Sequence, residues 1–178
     1  MCGIAALFDP GRRFDPDLLA AIDSDLFHRG PDSGGSDSDS GWALVFRRLA
    51  ILDPTPTADQ PMSDTEGRLT LVYNGEIYNY RQLRDELTDV GVVFRTDGDT
   101  EVILEGYRHW GRELFDRLEG MFAFVLIDRR EGVALAVRDP LGIKPLYMAR
   151  QGSLTAFASE ARPLHRLISA RADEDALA

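Results

Sequence analysis

Cysteine is nearly absent: Cys2 is the only one in 178 residues, so no intramolecular disulfide can form. The three histidines, His28, His109 and His165, lie far apart with no partner at zinc-ligand spacing, which argues against a structural metal. No apolar run approaches the roughly 20 residues needed to cross a bilayer, and the N-terminus lacks the basic region and long apolar core of a secretory leader. A cytoplasmic location is therefore expected. Lysine is reduced to Lys144 alone, and the many arginines never form a run longer than two. With 30 acidic residues against 20 basic ones the formal charge is -10, spread along the whole chain. That balance argues against a nucleic-acid or anionic-membrane surface and leaves small molecules or protein as partners.

What is present suits one domain of ordinary size, since 44% apolar residues can fill a substantial core. Cys2 to Phe8 is a short apolar run closed by Asp9-Pro10-Gly11 and reads as a buried strand. Asp15-Pro16 opens a helix over about residues 16–27, with Leu18, Leu19, Ile22 and Leu26 on one face. Residues 28–41, rich in Gly, Ser and Asp, read as a surface loop. Strand-like runs follow at Trp42 to Leu52 and Leu69 to Tyr73. A second helix is expected near Asn79, with Gln82 completing a capping box and Leu83 and Leu87 on its apolar face. A third starts at Asp97 or Asp99 and carries Val102, Ile103, Gly106, Tyr107 and Trp110. Four short apolar runs then end the pattern: Met121 to Ile127, Val133 to Val137, Pro145 to Ala149 and Leu154 to Ala158. Asp128 to Gly132 and Gln151-Gly152 separate them as hairpin turns. Antiparallel strands with helices outside them predict an α+β layered fold. Residues 169–178 read as a tail or the start of a linker.

A cysteine directly after the initiator Met allows Met1 to be removed, and removal changes its chemistry. The new α-amino group, with a pKa near 8, lies beside the thiol and can take its proton without any histidine. On Met1-Cys2 alone the plainer reading is a small buried thiol. The remaining motifs alter that balance.

Met1-Cys2-Gly3-Ile4, His28-Arg29-Gly30-Pro31-Asp32, Arg47-Arg48-Leu49-Ala50-Ile51, Asn74-Gly75-Glu76-Ile77-Tyr78-Asn79, Asp97-Gly98-Asp99-Thr100-Glu101, Gly120-Met121-Phe122-Ala123-Phe124 and the run Arg138 to Tyr147 occur in that order. Together they closely resemble the glutaminase domain of asparagine synthetases over about residues 1–165. The resemblance implies a class II, N-terminal-nucleophile glutamine amidotransferase domain at residues 2–168. The implied fold is a four-layer αββα sandwich of two antiparallel sheets. Sugar-phosphate-aminating relatives differ after the Arg-Gly and Asn-Gly pairs, so the likeness is to the asparagine-synthetase branch.

Free glutamine brings an α-carboxylate, an α-ammonium and an amide whose oxygen becomes negative on attack. A guanidinium fork suits the carboxylate, and the resemblance implies Arg48; a lone arginine there would read as a strand-edge surface residue. It implies Asp99 for the ammonium, a residue that also reads as a helix N-cap. Two neutral donors must meet the oxyanion; the resemblance assigns the Asn74 side-chain amide and the Gly75 N-H. Taken alone, Asn-Gly after a strand reads as a hairpin turn. Leu49, Ile51 and Glu76 complete the implied pocket, and Arg29 is implied in a loop that closes over bound glutamine. Arg138 to Tyr147, Lys144 included, reads as a structural turn.

Ser33 to Ser38 spells the SGGxDS pattern of ATP pyrophosphatase loops, yet no apolar strand precedes it and no helix follows, so it reads as accidental. Phe46 stands where the family often has histidine. Glutamine hydrolysis calls for no cofactor. ATP and Mg would belong to a synthetase domain or subunit that continues for several hundred residues beyond this length and accepts the ammonia. A homodimer is left open. Two other readings remain: a catalytically silent glutamine-binding module, and an amidase of the same fold with another amide substrate.

Overall fold

A computed structural model describes residues 1–51 and 55–168. The elements run β1 (Gly3–Phe8), α1 (Pro16–Leu26), β2 (Ser33–Asp39), β3 (Trp42–Arg48), β4 (Met62–Ser63), β5 (Leu69–Ile77), α2 (Tyr80–Asp89), α3 (Asp99–Trp110), α4 (Leu114–Arg117), β6 (Gly120–Asp128), β7 (Val133–Arg138), β8 (Tyr147–Gln151), β9 (Leu154–Ala158) and α5 (Ala161–His165). Leu52 and residues 169–178 lie outside the described residues.

The strands form two antiparallel sheets, one ordered β2-β3-β1-β9-β8 and the other β4-β5-β6-β7. Strand alternation sorts the apolar residues into three layers of contact. Ala5 and Leu7 of β1 pack with Leu19, Ile22 and Leu26 of α1. Ile4 and Ala6, one position off, face the second sheet and meet Val72, Val125 and Ile127. On that sheet's far side, Leu69, Leu71 and Tyr73 pack against Val102, Ile103 and Leu104 of α3. Three buried interfaces between four layers give the αββα sandwich. Each fully buried Leu or Ile contributes about 1.5–3 kcal/mol of transfer free energy.

Several local expectations hold. Asp15 Oδ1 accepts Asp17 N-H at 2.9 Å with Pro16 in the first turn of α1. The two hairpins β6-β7 and β8-β9 form where their turns were read.

Others are corrected. Residues 33–39 are an edge strand rather than loop, paired from Ser33↔Arg48 to Asp39↔Trp42. Its glycines answer crowding from both sides: a Cβ on Gly34 would meet Arg47 Nη1 at 2.5 Å, and one on Gly35 would meet Gln60 O at 2.5 Å. Asn79 makes no side-chain cap on α2. Its amide instead donates to Arg117 O at 2.9 Å and accepts Glu119 N-H at 3.1 Å, tying α2 to the approach of β6. β5 runs on to Ile77, so Asn74-Gly75 lies inside a strand and not in a turn.

Candidate active site

A cavity of about 100 Å³ opens at one end of the layer between the sheets, and Cys2, Arg48, Asn74, Asp99 and Lys144 are among its lining. The sequence positions are far apart. β1 pairs with β3, which places Cys2 beside the Arg48 end of β3. Opposite them, β5 turns Tyr73 toward α3 and Asn74 toward the first sheet.

Cys2 is half-buried, with Sγ 3.7 Å from Leu49 O. Burial pushes its thiol pKa up, against the pull of the terminal ammonium and Arg48. Met1 also borders the cavity and is 55% exposed, so it is open to an aminopeptidase. While Met1 is attached, the Cys2 nitrogen is a peptide amide.

Asn74 is 1% exposed, and its Nδ2 is buried with no hydrogen-bond partner. An orphaned buried donor of this kind costs a protein about 1–3 kcal/mol. Gly75 sits opposite Phe122. Phe122 commits both backbone groups to Asp139: its N-H donates to Oδ2 at 3.2 Å and its carbonyl accepts Asp139 N-H at 2.8 Å. In an antiparallel ladder both groups of a residue point the same way, so Gly75 and Phe122 are a non-hydrogen-bonded pair. The Gly75 N-H therefore leaves β5 on the edge facing away from β6. Along that edge Tyr73 N-H donates to Gln60 Oε1 at 2.6 Å, and Ile77 N-H donates to Asp99 Oδ2 at 2.9 Å. Gln60, Gly75 and Asp99 all border the cavity. Only glycine fits at 75, because a Cβ would lie 2.4 Å from Met121 O and 2.7 Å from Phe122 Cα.

Asp99 opens α3 as its first residue, and Gly98 holds the cap position. Its Oδ2 accepts Tyr73 O-H at 2.6 Å besides Ile77 N-H, so it anchors β5 rather than simply capping a helix. Burial raises its pKa, opposed by those hydrogen bonds. Burial and the Asp99 charge together lift the Tyr73 phenol well above its usual range.

Arg48 is 6% exposed, and its Nη1 donates to Asp59 Oδ1 at 2.7 Å and Thr55 O at 2.9 Å. Asp59 also accepts Ser33 Oγ-H at 2.8 Å, so the edge strand β2 braces the guanidinium indirectly. Leu49, Ile51 and Glu76 border the same cavity.

Arg29, expected in the loop that closes over bound glutamine, lies here beside the Cys2 carbonyl. It ends a short 3-10 turn, Phe27–Arg29, does not line the cavity, and donates from Nε to Cys2 O at 3.0 Å. The structural role expected of Lys144 holds for its backbone: its N-H donates to Asp139 Oδ2 and its carbonyl accepts Arg138 Nε. Its buried side chain nevertheless lines the cavity. Tyr73, Gln60 and Asp59 escaped the sequence reading. Tyr73 alone had a local signal, as the strand neighbour of Asn74 that must point to the opposite face.

Among the described residues no group of three or more His, Cys, Asp or Glu side chains could hold a metal, and no helix is long and apolar enough to cross a membrane.

Comparison with known proteins bears on the family and the fold. Residues 1–178 match the family described as glutamine amidotransferase domain. The chain is 40% identical over 168 residues to asparagine synthetase [glutamine-hydrolyzing] 1 of Bacillus subtilis (strain 168), covering 92% of this chain and 26% of that protein. It is 48% identical over 185 residues to a putative asparagine synthetase [glutamine-hydrolyzing] of Mycobacterium tuberculosis (strain ATCC 25618 / H37Rv), covering 94% and 28% respectively. The chain thus spans about a quarter of the length of these relatives. Among solved structures, the glutamine phosphoribosylpyrophosphate amidotransferase of B. subtilis superposes with a TM-score of 0.76 at 21% identity, over 92% of this chain and 43% of that one. At that identity the likeness is one of fold.

Proposed function

The chain belongs to the glutamine amidotransferase domain family, in its asparagine-synthetase branch, and from that premise we propose that residues 2–168 hydrolyse the side-chain amide of L-glutamine with Cys2 as nucleophile. Removal of Met1 supplies the base. Cys2 Sγ attacks the amide carbon while the Cys2 α-amino nitrogen takes the thiol proton. The Asn74 Nδ2 donor and the Gly75 N-H receive the developing oxyanion. On collapse the C-N bond breaks, the α-ammonium returns the proton to the leaving nitrogen, and ammonia departs from a γ-glutamyl thioester. Water then adds to the thioester, gives its proton to the same amine, and releases glutamate and the thiol. Arg48 suits the substrate α-carboxylate and Asp99 its α-ammonium, with Leu49, Ile51 and Glu76 closing the pocket.

The observation that carries this reading is the partnerless Asn74 Nδ2, buried in the wall of the cavity that also holds Cys2. Relatives named as glutamine-hydrolysing asparagine synthetases are about four times as long, which favours an ATP-dependent synthetase domain or subunit, with its own Mg, as acceptor of the ammonia. Cys2→Ala is expected to abolish glutamate release with the circular dichroism spectrum unchanged; release at the wild-type rate would overturn the assignment. One observation favours a second reading for the unprocessed chain. With Met1 attached there is no α-amino base, so that form would bind glutamine without turnover. Mass spectrometry of the N-terminus alongside the assay distinguishes the two forms.

A further inference from the structure

On the reading that Cys2 is the nucleophile and is freed at a mature N-terminus, its aim depends on what grips the N-terminal segment from the side. The chain leaving β9 does this with two consecutive residues. Ser159 N-H donates to Ile4 O at 2.9 Å, and Ser159 Oγ accepts Ile4 N-H at 3.1 Å. Glu160 acts one step removed: its Oε1 accepts Arg29 Nη1-H at 3.0 Å, and Arg29 Nε donates to the Cys2 carbonyl at 3.0 Å. His28 Nε2 also meets Glu160 Oε1, at 2.9 Å, from the solvent side.

The Arg29 side chain is 8% exposed and its Nη2 is buried without a hydrogen-bond partner. Among the described residues Glu160 is the one carboxylate that pairs with it. Removing the one counter-charge of a buried guanidinium leaves its charge uncompensated, at a cost that favours its moving. Burial raises the Glu160 pKa, but the hydrogen bonds and charges of Arg29 and His28 outweigh it and hold the group below its usual range.

We propose that Glu160 is a positioning residue for Cys2, acting through Arg29. Its carboxylate aims the guanidinium at the Cys2 carbonyl. Fixing that carbonyl sets the direction in which the same residue presents its thiol and, once Met1 is gone, its α-amino group. The inference rests on Cys2 being the nucleophile, and the test separates the two claims.

Glu160→Gln in the Met1-processed chain keeps the shape and removes the charge. The expected result is a fall in kcat for glutamine hydrolysis of about 10- to 100-fold from misplacement of the reacting group, with KM little changed. Alkylation of Cys2 by iodoacetamide, unambiguous because no other thiol exists, should become faster as the chain end loosens. A merely structural residue would not move those two rates in opposite directions. Because Glu160 acts through Arg29, Glu160→Gln should add no further loss in an Arg29→Lys background. Unchanged kcat and alkylation, or additive losses in the double variant, would overturn the proposal. Glu160→Asp keeps the charge but shortens the reach; it should show the same pattern at smaller amplitude if Glu160→Gln does not fold, and wild-type rates there would be equally decisive against the idea. A wild-type chain that hydrolyses no glutamine refutes the nucleophile reading, while the alkylation rates still decide whether Glu160 holds Cys2.

Discussion

Asn74→Ala is expected to cut activity sharply while leaving stability near that of the wild type or above it. The Asn74 Nδ2 is a buried donor with no partner in the free protein. Removing it relieves an unsatisfied group worth about 1–3 kcal/mol. The substitution also deletes a few packed atoms beside an open cavity, which offsets part of that gain. Net stability is therefore expected to stay within about 1 kcal/mol of wild type, or to rise, as at sites where function is held against stability. Activity should respond quite differently. Loss of one oxyanion donor raises the barrier by about 2.7–4 kcal/mol, or 10²–10³ in kcat. KM should shift little, because the interaction strengthens only as charge develops in the transition state. Glutamate production coupled to glutamate dehydrogenase measures kcat and KM, and urea unfolding measures stability. A kcat loss below about tenfold, equivalent to ~1.4 kcal/mol, would refute the oxyanion role. So would a stability loss above about 2 kcal/mol, which marks a structural residue.

Gly75→Ala places a Cβ 2.4 Å from Met121 O and 2.7 Å from Phe122 Cα, both backbone; it should destabilise by about 3 kcal/mol or more, since neither neighbour can yield without parting β5 from β6. A thermal melt at the wild-type midpoint would contradict that. Asp128 is fully buried and accepts hydrogen bonds from Arg68 at 3.0 and 2.6 Å, which hold its pKa below the ordinary carboxylate range. A folded pKa lowered in this way means that its stabilisation is present above the unfolded value, about 3.9, and is lost as pH falls through the lower folded value. Asp128→Asn should thus cost about 2–3 kcal/mol at pH 7, with the deficit closing in acid; a deficit independent of pH would show that the ion pair contributes nothing.

Much of the architecture was legible because its signals are local. Asp15-Pro16 starts α1, two turn segments set the C-terminal hairpins, and short unbroken apolar runs mark β1 and β6. β2 was illegible for a physical reason. Its residues, Ser33 to Asp39, are polar and small because the strand lies at a sheet edge, with the Arg47 side chain on one face and the Gln60 carbonyl on the other. Such a strand shows no apolar period. Asn74-Gly75 misled in the opposite way, since a turn-forming pair is placed mid-strand by a demand for space and not for positive φ.

The order and identity of the motifs determined the family, and with it the expectation that Cys2, Arg48, Asn74, Gly75 and Asp99 belong to one site. These are properties of residue type at fixed order, which the chain carries whether folded or not. Only the tertiary structure decided how the residues meet. Pairing of β1 with β3 brings Cys2 beside Arg48, the face of β5 leaves Asn74 Nδ2 without a partner, and the return of β9 sets Glu160 behind Arg29 and the Cys2 carbonyl. Contacts between residues 27 to 131 positions apart leave no trace in local composition. They arise when strand register and burial force distant side chains into a common space, and that register sets Arg29 behind the nucleophile.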